Sequence, residues 1–119
     1  MLPFDHYLAY QELTELLQAY AAARPDLVRL ETIGKSHEGR DILLLTVTRF
    51  STGVDTEKPA LWVDANIHAT EVSPTTACLT LLHKLLAGDG EDPEVTRALD
   101  SRVFYLCPRV NPDGAEVFL

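Results

Sequence analysis

The sequence predicts an α/β fold in which helices pack against a mixed parallel and antiparallel sheet. Two strand-like segments, 27–33 and 41–50, are separated by a short polar connection with two glycines, which favours an antiparallel pair. A strand, two helices and another strand follow between residues 60 and 110, an order that indicates a right-handed crossover between parallel strands. The chain has 119 residues, 46% of them hydrophobic, so we expect at most one domain with a core of its own.

The first part of the chain is predicted to form a helix and then two strands. The helix covers about 11–23, and Pro25 ends it because the residue before a proline is disfavoured in the helical conformation. Segment 27–33 alternates like a half-buried strand, and 41–50 is rich in aliphatic and β-branched residues. The polar segment 51–59 is a predicted loop. The helix is recognised by apolar residues at i, i+3, i+4 and i+7: Leu13, Leu16, Leu17 and Tyr20.

The third predicted strand, "ALWVDANI" at 60–67, is almost continuously apolar, which is typical of a strand covered on both faces. A helix follows it, with Ser73 as the N-cap and Pro74 as the first helical residue, and it continues to about Ala87. Apolar residues occur around most of this helix, so we expect it to be largely buried.

A second N-cap and proline pair, Asp92-Pro93, begins a short helix that reaches about Leu99. The fourth predicted strand is 102–110, and the following "NPDG" at 111–114 is predicted to form a type I turn. The fourth strand and the helix 74–87 are expected to need cover from elements later in the polypeptide, and so to leave large apolar patches exposed in these 119 residues. Self-association through that surface, or poor solubility, is the expected consequence.

Charge and composition exclude some classes of partner. A net charge of −8 provides no basic surface for nucleic acid or for an anionic membrane. The N-terminus has no signal-peptide pattern, which gives a cytoplasmic location as the expectation, and the apolar stretch at 77–87 is too short to span a bilayer. Cys78 and Cys107 are predicted to be buried, reduced thiols.

The end of the third strand carries a pair of residues with metal-ligand chemistry. His68 follows the apolar run and Glu71 comes three residues later, where ligands bind in open α/β sheets. A turn or the first turn of a helix brings positions i and i+3 to roughly 5–6 Å at Cβ. An imidazole nitrogen and a carboxylate oxygen then suit one Zn²⁺ ion.

The spacing alone leaves an ordinary explanation open, in which Glu71 is favoured by the helix N-terminus and His68 is a loop histidine. Catalytic zinc also needs a third protein ligand. His83 lies roughly 18 Å further along the helix and is out of reach. His6 and His37 are not excluded, but neither has a spacing that recommends it.

Three motifs in order extend this pattern over nearly the whole chain. They are "IGKSHEGRDILLLTVT" at 33–48, "ANIHATEVSP" at 65–74 and "PRVNPDG" at 108–114. Together they resemble the zinc metallocarboxypeptidase family (carboxypeptidase A-like), in which a G-x-S-x-E-G-R hairpin precedes N-x-H-x-x-E and a strand leads into N-P-D-G.

The resemblance implies a carboxypeptidase-like (phosphorylase/hydrolase-like) fold and the hydrolysis of a C-terminal peptide bond or a related amide. It implies His68 and Glu71 as the first two ligands of one zinc ion. The bound zinc polarises the scissile carbonyl and activates water, with a glutamate as general base and arginines as substrate ligands. The substrate class that the resemblance implies is a peptide or an amino-acid amide.

In that family the third zinc ligand, the general base and the substrate-binding residues follow the N-P-D-G motif. Residues 1–119 are therefore expected to be the N-terminal portion of a catalytic domain, with an incompletely ligated zinc and no residue of the catalytic group. Such a polypeptide alone is expected to be inactive. Two alternatives remain: a zinc deacylase of N-acyl amino acids, which typically has "HGNE" where this chain has "HATE", and a non-catalytic binding module of the same fold.

Other polar residues near the three motifs are expected to support the site or to lie at the surface. Asp64 and Asn66 flank the pair and are predicted to orient His68 as hydrogen-bonding partners. Glu38 and Arg40 are expected in a solvated hairpin, with contact to a substrate cleft as the alternative. Arg109 is expected at the surface or at the edge of a cleft.

Overall fold

The computed structural model describes residues 5–119, which form four helices and one four-stranded sheet. The elements in chain order are α1 Tyr10–Ala23, β1 Val28–Lys35, β2 Asp41–Val47, β3 Ala60–Asp64, α2 Ser73–Gly88, α3 Pro93–Ser101, β4 Val103–Cys107 and α4 Pro112–Phe118. Two single 3₁₀ turns, Phe50–Thr52 and Asp55–Glu57, occupy the predicted loop between β2 and β3.

The sheet is mixed and has the order β1-β2-β4-β3. β1 pairs antiparallel with β2 and β2 antiparallel with β4, whereas β3 and β4 are parallel. The predicted fold class is confirmed. The predicted antiparallel pair, β1 and β2, is also confirmed, and so are the parallel strands β3 and β4, which are connected in the sequence by two helices. The parallel register sets Asp64 opposite Cys107, so both strands end at the same edge of the sheet.

The core lies between the central strands and the helices. Each of α1, β2, α2, α3 and β4 contributes a fully buried leucine, in that order Leu17, Leu45, Leu82, Leu99 and Leu106. Burial of one such side chain stabilises the folded state by about 1.5–3 kcal/mol. The apolar face of each helix is therefore the face that packs into the core, and the apolar periodicity in the sequence predicted it. Cys78 and Cys107 are buried and free, as expected.

The expectation that the third strand is covered on both faces is wrong. β3 is an edge strand that pairs with β4 on one side within the described residues, and Leu61 and Trp62 are about half exposed. The fourth strand and the long helix, where exposed apolar surface was predicted, are instead well covered. β4 is paired on both of its edges, and α2 turns its Cys78 and Leu82 face into the core.

Two helix starts differ from the sequence prediction, and a third agrees with it. "NPDG" is not a type I turn that closes a strand, because the chain continues as α4 from Pro112. Asn111 is the N-cap of that helix, and its Oδ1 accepts a hydrogen bond from the Gly114 amide at 2.9 Å. Val72, not Ser73, precedes α2, and it makes no side-chain cap. The Asp92 cap of α3 is confirmed by a 2.9 Å bond from the Glu94 amide.

A cluster of charges joins the ends of α1, β2, α2 and α3 away from the His68 end of the sheet. The carboxylate of Asp89 accepts hydrogen bonds from Arg24 at 3.0 Å and from Arg49, and Arg49 also binds Asp100. Burial acts to raise the pKa of Asp89, but the bonds from Arg49 and Arg24 outweigh it and hold this pKa below its ordinary value. The pairing therefore stabilises the fold only while Asp89 is ionised.

None of the helices described in residues 5–119 has the length and apolarity needed to cross a membrane.

Candidate metal site

The segment after β3 is held against the segment after β4 by backbone hydrogen bonds. The amide of Ala65 donates to Cys107 at 3.0 Å, Val110 donates to Ala65 at 2.9 Å, and Asn111 donates to Asn66 at 3.1 Å. These bonds continue the parallel pairing beyond the last ladder residues. They bring residues 65–71, which we call the ligand loop, beside the start of α4.

Asn66 turns the chain at the start of the ligand loop. It is the one non-glycine residue with a positive φ in the described part of the chain, at 60°, a conformation that asparagine tolerates better than most residues. Its side chain is buried, and its Nδ2 donates to the carbonyl of His68 at 2.9 Å and to that of Ala69 at 3.4 Å. Asn66 therefore closes the loop over its own following residues.

The turn brings His68 and Glu71 together, as the spacing predicted. His68 Nδ1 lies 2.8 Å from Glu71 Oε1, and the Glu71 amide donates to the His68 carbonyl at 3.1 Å. Both side chains reach solvent, with exposed fractions of 78% for His68 and 55% for Glu71. One nitrogen and one carboxylate oxygen at this separation form a donor set that suits zinc, so the two residues fit part of a zinc site.

The described residues provide no third ligand for this pair: no group of three histidine, cysteine, aspartate or glutamate side chains able to hold a metal occurs within 5–119. His6 lies between Asp5 and Glu12, each at 2.9 Å. His37 is exposed in the β1–β2 hairpin, and His83 is on α2, with its Nδ1 3.5 Å from the Tyr20 hydroxyl.

The two residues predicted to orient His68 make different contacts. Asn66 binds the carbonyl of His68, and no bond from it to the imidazole ring is formed. Asp64 is exposed and accepts a 2.8 Å bond from the Trp62 indole. A role for Asp64 at His68 thus stays a prediction.

Sequence reasoning missed the role of Asp113, whose carboxylate ties the β1–β2 hairpin to α4. It accepts from the Ser36 hydroxyl at 2.7 Å, the Glu38 amide at 3.0 Å and Arg40 Nη1 at 2.8 Å. Partial burial opposes the effect, but these donors hold the pKa of Asp113 below its ordinary value. The hairpin is therefore anchored, where the sequence indicated a freely solvated loop.

The expectation that Arg109 lies at the surface or at a cleft edge is wrong, because its side chain is buried with 4% of its surface exposed. Its Nε donates to Asn66 Oδ1 at 2.9 Å, and its Nη1 donates to the Leu8 carbonyl at 2.8 Å. Burial lowers its pKa, which Glu116 partly counteracts. No sequence signal separates this arginine from a surface arginine, because the contacts come from segments distant along the chain.

The match to known proteins extends over almost all of this architecture. A family model described as zinc carboxypeptidase matches residues 13–119. The chain belongs to the zinc carboxypeptidase family. The resemblance carried by the three sequence motifs is thereby confirmed, and this family consists of metal-dependent hydrolases of the carboxypeptidase class.

Relatives and solved structures agree with this family. The chain is 34% identical to a zinc carboxypeptidase of Saccharothrix mutabilis subsp. capreolus over 95% of its own length and 26% of the relative's. It is 36% identical to carboxypeptidase A2 of Rattus norvegicus over 93% and 25% of the two lengths. It superposes on carboxypeptidase A from Helicoverpa armigera with a TM-score of 0.82 and 29% identity, covering 98% of this chain and 27% of that one. The chain thus spans about a quarter of the length of the zinc carboxypeptidases it matches.

Proposed function

We propose that the protein is a zinc-dependent metallocarboxypeptidase that hydrolyses a C-terminal peptide bond or a related amide, and that His68 and Glu71 are two of its zinc ligands. The observation that carries the proposal is the 2.8 Å contact of these two side chains at the end of parallel strand β3, in a chain of the zinc carboxypeptidase family. Zinc, when bound, supplies Lewis-acid polarisation of the substrate carbonyl and an activated water.

In this activity the described residues bind the metal and hold its ligands in place. His68 and Glu71 present a nitrogen and an oxygen donor to the same space, and their exposure leaves that space open to a metal and to a substrate. Catalytic zinc sites use three protein ligands, and the described residues supply two. A polypeptide of these 119 residues alone is therefore expected to bind zinc weakly and to be inactive.

Zinc affinity tests the ligand assignment. We would measure the Kd for Zn²⁺ by competition with a chromophoric chelator, for the unchanged chain, His68→Ala and Glu71→Gln. Each substitution is expected to weaken binding by at least about tenfold, because it removes one of two donors. His83→Ala is the matched control, since this histidine is exposed on α2 and bonded to Tyr20. Tight stoichiometric binding that survives His68→Ala would contradict the assignment.

Activity tests the reaction class in the full-length protein. The expected result is release of the C-terminal amino acid from N-blocked dipeptides, abolished by a chelator and restored by Zn²⁺. Cleavage of N-acyl amino acids with no action on N-blocked dipeptides would instead support a deacylase. Zinc binding without hydrolysis of either substrate would support a binding module.

A further inference from the structure

We propose that Arg109 is a positioning residue for the zinc-binding pair, acting through the side chain of Asn66. This inference rests on the proposed function, because the ligand roles of His68 and Glu71 are part of that proposal. The buried guanidinium of Arg109 does not contact His68 or Glu71. It binds Asn66, Asn66 binds the ligand loop, and the order of that loop affects the affinity for zinc.

The first step is the contact between Arg109 and Asn66. The guanidinium lies almost fully buried, and its fork joins Asn66 Oδ1 to the carbonyl of Leu8. Among residues 5–119 its Nη2 has no hydrogen-bond partner. A buried charge with an unpaired donor is costly, and an apolar side chain would fill the space at lower cost. The guanidinium is therefore better explained by the two segments that it connects than by packing.

The second step is the direction that Arg109 imposes on the Asn66 amide. Because Arg109 Nε is a donor, it must face the Asn66 oxygen, which leaves Nδ2 to face the carbonyls of His68 and Ala69. The carbonyl of His68 also accepts the amide of Glu71. The carbonyl oxygen of His68 thus accepts hydrogen bonds from both Asn66 and Glu71. Holding this oxygen in place therefore holds the backbones of His68 and Glu71 at a constant separation.

The third step links this order to zinc affinity. The side chains of His68 and Glu71 are exposed, so packing restrains them little. A loop that is already ordered loses no further backbone entropy when both residues bind one ion, whereas a disordered loop would lose it on binding and would bind zinc more weakly. Removing hydrogen-bonded supports behind metal ligands typically weakens metal binding by about 10–100-fold.

Two substitutions test the inference in the full chain. Asn66→Gly keeps a residue that readily adopts a positive φ while removing the amide, so it separates the side-chain bonds from backbone strain. Arg109→Lys keeps the positive charge, but an ammonium cannot reproduce the planar fork. Thr48→Val is the matched control, because it removes buried hydrogen bonds to Leu99 and Arg102 at the opposite end of the sheet.

Two measurements are made on each folded variant. The first is hydrogen exchange of the Glu71 amide without metal, and the second is the Kd for Zn²⁺ alone. Asn66→Gly and Arg109→Lys are expected to speed this exchange and to raise the Kd by at least about tenfold. Thr48→Val is expected to lower the unfolding midpoint while both values stay within about twofold of the unchanged chain.

The outcomes distinguish this inference from the proposed function. Exchange and Kd both unchanged in Asn66→Gly and Arg109→Lys would overturn it, and so would equal effects in Thr48→Val, which would indicate general loosening. If the unchanged full-length protein binds no zinc, the proposed function fails. In that case, faster hydrogen exchange of the Glu71 amide in Asn66→Gly and Arg109→Lys, but not in Thr48→Val, still supports the inference that Arg109 orders the ligand loop. Should Arg109→Lys not fold, Asn66→Gly decides the result.

Discussion

Gly114 allows a prediction in which two physical effects have opposite signs. It lies in the first turn of α4, where glycine is ordinarily weaker than alanine, so Gly114→Ala is expected from helix propensity alone to stabilise the protein by about 0.5–1 kcal/mol. A Cβ at this position, however, would lie 2.5 Å from Asn111 Nδ2 and 2.8 Å from the Cβ of Ala69 in the ligand loop. Both distances are shorter than ordinary contacts.

Relieving these contacts costs more than the helix gains. If the Asn111 side chain rotates away, α4 loses its cap, worth about 1 kcal/mol, and the 3.2 Å bond from Asn111 to the Ile67 carbonyl, worth a similar amount. If Ala69 moves instead, the overpacking costs about 1–3 kcal/mol. After the gain in helix propensity is subtracted, we expect Gly114→Ala to lower the free energy of unfolding by about 1–2 kcal/mol.

Urea unfolding followed by circular dichroism measures this change. With a slope of about 1–3 kcal/mol per molar, the midpoint is expected to fall by about 1 M at an unchanged slope. Gly34→Ala is the control, because a Cβ there meets nothing within 4 Å and its φ is not positive. That variant is expected to be as stable as the unchanged chain or slightly more stable. If Gly114→Ala is as stable as Gly34→Ala, the close approach of α4 to the ligand loop is not as described.

Three further predictions concern the core, the charge cluster and the thiols. Leu82→Ala is expected to lower the free energy of unfolding by about 2–5 kcal/mol because the side chain is fully buried, whereas the half-exposed Leu61→Ala is expected to change it by less than about 1 kcal/mol; urea midpoints compare them. The folded pKa of Asp89 is lowered, so its contribution is complete above its unfolded pKa of about 3.9 and is lost as the pH falls through the folded value. Asp89→Asn is therefore expected to flatten the dependence of the thermal midpoint on pH below about pH 5, and an unchanged slope would contradict this. Burial raises the pKa of Cys78 to about 12 and that of Cys107 to about 11, so neither thiol is expected to react with Ellman's reagent at pH 8 until denaturant is added.

The elements that the sequence predicted well are those whose signal is local. The apolar period of α1, the alternation of β1 and the proline that follows Asp92 each act within a few residues, and each produced the expected element. The strand 60–67 was predicted too long and too buried, because an apolar run does not reveal whether a neighbouring strand is present. That information is held in pairing partners, which the local pattern does not contain.

The candidate site was predictable for a similar reason, and only in part. His68 and Glu71 meet through a turn of four residues, so their spacing was enough to predict the contact. The contacts of Arg109 with Asn66 and Leu8 span 43 and 101 residues, and those of Asp113 with the hairpin span 73 to 77. Which residues meet over such sequence separations depends on the order of strands in the sheet, and no local pattern of charges indicates that order.

The sheet order also explains why the two motifs belong to one structure. Because β3 and β4 are parallel neighbours, the residues after each strand emerge at the same edge of the sheet. "NPDG" there begins a helix whose Asn111 binds the carbonyl of Ile67 and whose Gly114 leaves room for Ala69. A type I turn with the same four residues would satisfy the local preferences of proline and glycine equally well. What separates the two structures is the ligand loop alongside, which gives the Asn111 amide an acceptor and makes a side chain at position 114 too large. The requirement for glycine therefore comes from the space that the ligand loop occupies and not from the backbone angle of the turn.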